Sequence, residues 1–196
     1  MREPLTREAI VATTRQLLVE EGLEAVTVRR VARALGVTAP ALYAHVADKR
    51  DLLRAVAEGE FGVLIARFEQ ITERDPLERI RALSRAYVAH ARANPELFRV
   101  MFLFPPELAV GAGTGQELPM ATKAFSLPAA ATQEAVARGQ FRGVDPLMAA
   151  LTTWACVHGV ATVLQLGFAL DTDTEEALIA LVIDTMIAGL RDQGDR

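Results

Sequence analysis

"LGVTAPALYAHVADKRDLL", residues 35–53, crowds a glycine turn, a proline, a tyrosine, a histidine and a lysine into one short stretch. Just before it, Val28, Val31, Ala32 and Leu35 recur at i, i+3, i+4 and i+7, the spacing that lines one face of a helix. Thr27 stands where it can cap that helix and Gly36 where it can end it. Past the glycine, Thr38 is expected to cap a second short helix over 39–46, with Pro40 in the first turn, where its missing N–H does no harm. Val37 lies where a hydrophobic staple meets Leu42, and Val26 with Val31 repeats the staple one helix earlier. Asp48, with Asp51 three positions on, reads as the cap of a longer helix. Two short helices joined by a three-residue turn containing glycine form a helix-turn-helix, whose second helix enters the DNA major groove. Outward-facing Tyr43 and His45 can then bond a phosphate or a base edge, while Lys49 sits at the next helix N-terminus, where phosphates collect.

The same punctuation continues in both directions. A first helix over about 6–22 carries Ile10, Thr14, Leu17 and Leu18 on one face, and Gly22 suits a left-handed cap. Further helices are expected over about 48–71, 76–93 (stopped by Asn94 and Pro95), 96–104 and 126–138. Asp145 and Pro146 open a long one ending near 170, and "DTDTEE" opens the last, with Asp173 and Glu176 as its capping box. The stretch "PPELAVGAGTGQELP", 105–119, reads as an irregular or mobile connection. No run of β-branched alternation interrupts this pattern, so the chain reads as all-α with about nine helices. The division expected is a three-helix DNA-binding head at 6–65 and a ligand-binding and dimerisation domain at 66–196.

Bulk properties agree with an intracellular binder. Among 196 residues Cys156 is the only cysteine, which leaves no intrachain disulfide and no C-x-x-C pair for zinc. The N-terminus carries acidic residues early and no long apolar run, so a cytoplasmic location is expected. The net charge of −4 is unevenly spread: residues 1–55 hold nine Lys and Arg against seven Asp and Glu, and the rest hold twelve against eighteen. A basic head on an acidic body results, and phosphate binding needs local rather than total positive charge.

"TVRRVARALGVTAPALYAHVADKRDLL", 27–53, resembles the TetR family of transcriptional regulators, because the glycine turn, the L-Y pair and the K-x-x-L ending occur together at that family's spacing. The resemblance implies that Thr27, Thr38, Tyr43 and Lys49 contact phosphates, and that Arg29, Ala39, Pro40, Ala41, Ala44 and His45 face base edges. Since Ala39, Ala41 and Ala44 can only touch thymine methyls, hydrogen-bond readout would rest mainly on Arg29 and His45.

"PLMAALTTWACVHGVATVLQLGFAL", 146–170, is long enough to span a membrane, which takes ~20 predominantly apolar residues. Thr152, Thr153, Thr162 and Gln165 within it, an acidic flank and no nearby Lys or Arg anchor argue instead for a covered helix, with no membrane as a partner. One stripe carries Leu147, Leu151, Trp154, His158, Ala161, Gln165 and Phe168, aromatic rings mixed with polar tips as in ligand pockets. The opposite stripe, Thr152, Ala155, Cys156, Gly159 and Val163, is mostly small and permits close helix approach. The last helix is apolar on most of its circumference, with Asp184 the only charge from Ala177 to Leu190. Both helices are therefore expected to pair with their copies in a homodimer, Ile183 included, as the TetR resemblance also implies. "TWACVHG" is similar to the W-x-x-x-H-G signature of one C-terminal subgroup. Candidate ligand contacts are Tyr87, His90, Phe98, Met101, Phe102, Leu151, Trp154, His158 and Gln165, against the alternative that these are core residues and His158 a histidine satisfied within the core.

The function expected is that of a ligand-responsive regulator, a repressor by preference, bound to a near-palindromic double-stranded DNA operator. A small apolar or mixed-polarity molecule would shift it toward a spacing of recognition helices that no longer fits successive major grooves. No metal or cofactor is implied. The alternatives are an all-α enzyme using His90, His158 or Cys156, and a protein-interaction module without sequence-specific DNA binding. The enzyme is hard to assemble, because Cys156 and His158 project about 200° apart on one helix.

Overall fold

Two threonines open the first two helices by the same device. Thr6 Oγ1 accepts the Ala9 N–H at 3.2 Å and Thr27 Oγ1 the Arg30 N–H at 3.0 Å, each satisfying an amide that the helix itself leaves unpaired. They start α1 (Arg7–Glu21) and α2 (Val28–Leu35). Gly36 ends α2 at φ 65° and ψ 32°, the left-handed conformation that a side chain disfavours. Gly22 also has positive φ, but at φ 79° and ψ 172° it is not the left-handed helical cap expected. The computed structural model describes residues 5–104 and 118–191. Its remaining helices are α3 (Ala39–Tyr43), α4 (Lys49–Phe68), α5 (Pro76–Ala93), α6 (Pro95–Met101), α7 (Pro119–Ala137), α8 (Pro146–Val163) and α9 (Thr172–Arg191), with a 3-10 turn at Leu164–Leu166. Among the described residues there is no strand, so the chain is all-α.

Several boundaries differ from expectation. The helix α3 covers 39–43 rather than 39–46, and Thr38 makes no side-chain capping bond. The chain instead turns at 44–46, where His45 N and Val46 N both donate to the Leu42 carbonyl. The helix α4 stops at Phe68 and α6 at Met101. The helix α7 begins at Pro119 rather than 126, because Glu58 Oε2 accepts the Met120 N–H at 3.0 Å and so caps it from α4. The helix α8 ends at Val163, short of 170, and Gly167 carries the chain away at φ 78°. Asp171, not Asp173, caps α9 by accepting the Thr174 N–H at 2.8 Å, while Glu176 pairs with Arg92 instead of closing a box. Most of the proline- and glycine-rich connection, 105–117, lies outside the described residues.

The chain forms two compact units. The first comprises Met1–Val63 and Asn94–Thr122. Its core holds Ile10, Leu17 and Leu18 of α1, Val28 and Val31 of α2, Leu42 of α3 and Leu52 of α4, with α2 packed on both α1 and α3. The second comprises Leu64–Ala93 and Lys123–Arg196, in which α5, α8 and α9 pack pairwise. Ile80, Leu83, Val88, Val157, Ala161, Ile179, Ile183 and Ile187 are buried there. Arg92 bonds Glu175 at 2.7 Å and Glu176 at 2.6 Å, and Arg81 pairs with Asp184, so ion pairs run along the α5–α9 seam. Such part-exposed pairs are worth only ~0–1 kcal/mol each, so burial rather than charge supplies most of the stability.

Ile183 is 2% exposed and belongs to the protomer's own core, which corrects its expected place facing a partner. Along α8 the exposed positions include Leu147 and Met148 in its first turn and then the small stripe Thr152, Ala155, Gly159 and Thr162, with Val163 at its end. On α9 Leu181 is 64% exposed. The segment Pro146–Leu166 is long and apolar enough to cross a membrane by length and composition. Its exposed threonines, alanine and glycine suit close approach of another helix better than contact with lipid.

Candidate DNA interface and ligand site

Leu42 is fully buried under α3, and that single anchor turns the rest of the short helix outward. Pro40, Tyr43, Ala44 and His45 are exposed, Tyr43 by 56%, and Ala39 and Ala41 are half-buried. Thr27, Arg29 and Thr38 are exposed nearby in sequence. A convex helix with an aromatic hydroxyl, an imidazole and small side chains outward is chemically suited to a groove floor and its flanking phosphates. Lys49 is half-buried, and its Nζ donates to the Leu23 carbonyl at 3.1 Å. An ammonium has three donors, so this one bond ties the α1–α2 turn to α4 and still leaves the group able to meet a phosphate.

Two features of this head carry no local signal in the sequence. Arg30 is paired with Glu21, while Arg29 beside it on α2 is exposed. Arg7 bonds both oxygens of the Asp51 carboxylate and the His45 carbonyl. Its guanidinium holds the Asp51 carboxyl below the usual carboxylate range, helped by the Ala47 N–H at 3.0 Å.

The candidate ligand residues divide between the units. In the first, the Phe98 and Phe102 rings lie 4.9 Å apart at a 58° tilt, Phe61 meets Phe102 edge-on at 5.9 Å, and Met101 is fully buried. In the second, α5 and α8 bring Tyr87, Trp154 and His158 together. Tyr87 Oη lies 2.8 Å from His158 Nδ1, and the Trp154 side chain also hydrogen-bonds Tyr87. Because an indole N–H can only donate, it occupies a lone pair of the Tyr87 oxygen and leaves the hydroxyl proton for His158 Nδ1. The neutral imidazole then carries its own proton on Nε2. Burial drives the Tyr87 hydroxyl well above its ordinary value and pushes His158 below its own, so both are neutral near pH 7. Trp154 lies 5.6 Å from His158 ring to ring and meets Phe125, a residue the sequence pattern did not single out, edge-on at 6.0 Å. Leu151 is half-buried, His90 is buried, and Gln165 Nε2 reaches the Ala91 carbonyl at 3.4 Å. Burial raises the Cys156 thiol, the opposite of what an activated nucleophile needs. Among the described residues no group of three His, Cys, Asp or Glu side chains could hold a metal ion.

Residues 10–56 match the family model for bacterial regulatory proteins of the tetR family, and residues 80–186 match that for the tetracycline-repressor-like C-terminal domain. The class C tetracycline repressor protein of Escherichia coli is 52% identical over 54 residues, which is 28% of this chain and 25% of that one. Among solved structures, a protein of unknown function from Rhodococcus sp. RHA1 aligns with a TM-score of 0.80 at 30% identity, covering 97% of both chains. A TetR variant from Acinetobacter baumannii AYE in complex with minocycline aligns with a TM-score of 0.71 at 22% identity, covering 98% of this chain and 100% of that one.

Proposed function

Because the tetracycline-repressor-like C-terminal model alone covers more than half of it, the chain belongs to the TetR family of bacterial regulatory proteins, and from that premise we propose an operator-bound homodimer released by a small molecule. The observation that carries this is the head: Leu42 buried beneath α3 while Tyr43, Ala44 and His45 face outward on a helix fixed by a left-handed glycine turn. Residues 6–65 act as the DNA-binding head and 66–196 as the ligand-binding and dimerisation domain. Thr27, Thr38, Tyr43 and Lys49 hold phosphates; Arg29 and His45 read base edges, with Pro40 and the alanines at 39, 41 and 44 allowing close approach. The protein acts in the cytoplasm, where its operator lies. The uncovered small stripe of α8 and the exposed Leu181 of α9 form the dimer contact, which two-fold pairing requires of a near-palindromic site.

The small molecule is apolar or of mixed polarity and meets the Trp154–Tyr87–His158 chain, with His158 Nε2–H as its polar anchor. The complex of the Acinetobacter TetR variant with minocycline supports a ligand of this kind in the family's fold. No catalytic step is assigned, since burial raises the Cys156 thiol, and His158, two positions on along α8, projects away from it and bonds Tyr87 through Nδ1. The helix α4, which runs from the first unit into the second, is the element through which occupancy changes the spacing of the recognition helices.

Selection of duplexes from a random pool tests the whole reading: enrichment of a two-fold-related site is expected, and recovery of no preferred sequence would overturn it. On the enriched duplex, Lys49→Ala is expected to weaken binding and to reduce the slope of log affinity against log salt by about one. An unchanged slope would mean that Lys49 serves only to tie the Leu23 carbonyl. Arg29→Ala should instead relax preference at particular bases, read by repeating the selection.

A further inference from the structure

Arg7, on the first turn of α1, engages two partners just past the recognition helix. Its Nη2 donates to Asp51 Oδ1 at 2.6 Å, and its Nη1 donates to Asp51 Oδ2 at 3.2 Å and to the His45 carbonyl at 2.6 Å. Asp51 is itself the centre of the turn into α4: Oδ2 accepts the Ala47 N–H at 3.0 Å, and the Asp51 N–H donates to Asp48 Oδ1 at 2.8 Å. One guanidinium thus closes the segment 45–51 onto α1. The helix it steadies, α3, has five residues and no side-chain cap at Thr38, far below the length at which a helix holds itself. Its orientation is set by anchors: the glycine turn before it, Leu42 beneath it and the Arg7 fork after it.

A second tie of the same kind lies further along. Arg15 Nε meets Glu60 Oε1 at 2.5 Å, and Glu60 is 2% exposed. Arg7 and Arg15 stand about 12 Å apart along α1, and Asp51 and Glu60 about 13.5 Å apart along α4, at ~1.5 Å per residue. Two ties so separated fix the crossing angle of α1 and α4 as well as their contact. An arginine in a basic DNA-binding head is ordinarily taken as a phosphate ligand. Arg7 differs because its charge is already matched by a carboxylate that it chelates through both nitrogens.

We propose that Arg7 is a positioning residue for operator recognition, holding His45 and the recognition helix at their working angle through the His45 carbonyl and Asp51 without itself contacting DNA. The role rests on the DNA-binding reading above. It is tested on the full chain with the duplex enriched from the random pool. Arg7→Gln is expected to weaken binding about tenfold with the salt slope unchanged, since no phosphate contact is lost. Asp51→Asn is expected to weaken it too, although removing a negative charge from a DNA-binding head would tighten binding if Coulomb attraction alone decided. Arg7→Lys should not restore affinity, because an ammonium cannot present the fork that spans carboxylate and carbonyl. Hydrogen exchange on the free protein adds a readout that needs no DNA: amides 44–48 should lose protection in Arg7→Gln while those of α8 keep theirs.

A salt slope reduced by about one in Arg7→Gln, with Arg7→Lys binding like the parent chain, would make Arg7 a phosphate contact and overturn the proposal. Tighter binding by Asp51→Asn, or unchanged exchange at 44–48, would overturn it equally. If the parent chain enriches no duplex, the DNA-binding reading falls and the positioning role with it. If the parent enriches a duplex that Arg7→Gln binds unchanged, the positioning role falls alone.

Discussion

Gly159→Glu is expected to give a folded monomer that has lost operator binding. A Cβ at Gly159 meets nothing within 4 Å in the protomer, so the substitution has room, and replacing a mid-helix glycine raises helix propensity by roughly 0.5–1 kcal/mol. The same position lies at the centre of the exposed stripe of Thr152, Ala155 and Thr162, where small side chains let a second helix come close. Between two copies, a carboxylate there would be buried without a counter-charge, at a cost of about 3–5 kcal/mol per broken arrangement. Because each protomer supplies one recognition helix, separating them removes the bivalent gain and should lower operator affinity by about 100-fold or more.

Ile183→Glu provides the contrast. Ile183 is 2% exposed within its own protomer, so a glutamate there should destabilise the fold itself and produce aggregates or unfolded chain instead of a soluble monomer. Sedimentation velocity with thermal unfolding separates the two. A Gly159→Glu chain that still sediments as a dimer would move the contact off the α8 stripe.

Gly159 and Ile183 also mark what the sequence could and could not convey. Where a helix is amphipathic the buried face is legible: Ile10, Thr14, Leu17 and Leu18 are the buried residues of α1, as their spacing requires. Where a helix is apolar around its circumference, as α9 is, periodicity does not say which stripe faces inward, and Ile183 and Leu181 look alike although one is buried and the other 64% exposed. Caps are legible when a single candidate precedes the helix, as at Thr27 and Asp145. The repeated dipeptide in "DTDT" offers the same cap at two registers, and Asp171 holds the one used. The start of α7 depends on Glu58, and the recognition turn on Arg7; neither partner is near in sequence, so no local pattern reveals them. The grouping of Tyr87 with His158 was only half legible, since each stood out on its own helix but their 2.8 Å contact is set by how α5 packs on α8.

That contact decides the second large effect: His158→Leu should abolish the response to the inducing molecule while leaving operator binding intact. If His158 Nε2–H is the ligand's polar anchor, leucine fills comparable space and supplies no donor, so orientation is lost without a large cavity. Trp154, 5.6 Å away and the chain's only tryptophan, should then report no fluorescence change on adding inducer. Were His158 only a satisfied core group, the same change would strand the Tyr87 hydroxyl, 8% exposed, at a cost of ~1–3 kcal/mol, and DNA binding would weaken along with the ligand response. Tyr87→Phe discriminates further. It leaves His158 in place but removes the hydroxyl to which the imidazole is bonded, so the anchor is misdirected rather than deleted and the response should weaken without vanishing. The pH dependence supplies an independent check. Burial lowers His158 in the folded chain, so below about pH 6.5 the unfolded chain binds the proton first, and stability is lost as the pH falls from there through the folded value. In His158→Leu that part of the acid-side slope should disappear. A variant that keeps full induction excludes His158 as the anchor. One that keeps the parent's acid-side slope as well shows that the imidazole is not held neutral by its place between Tyr87 and Trp154.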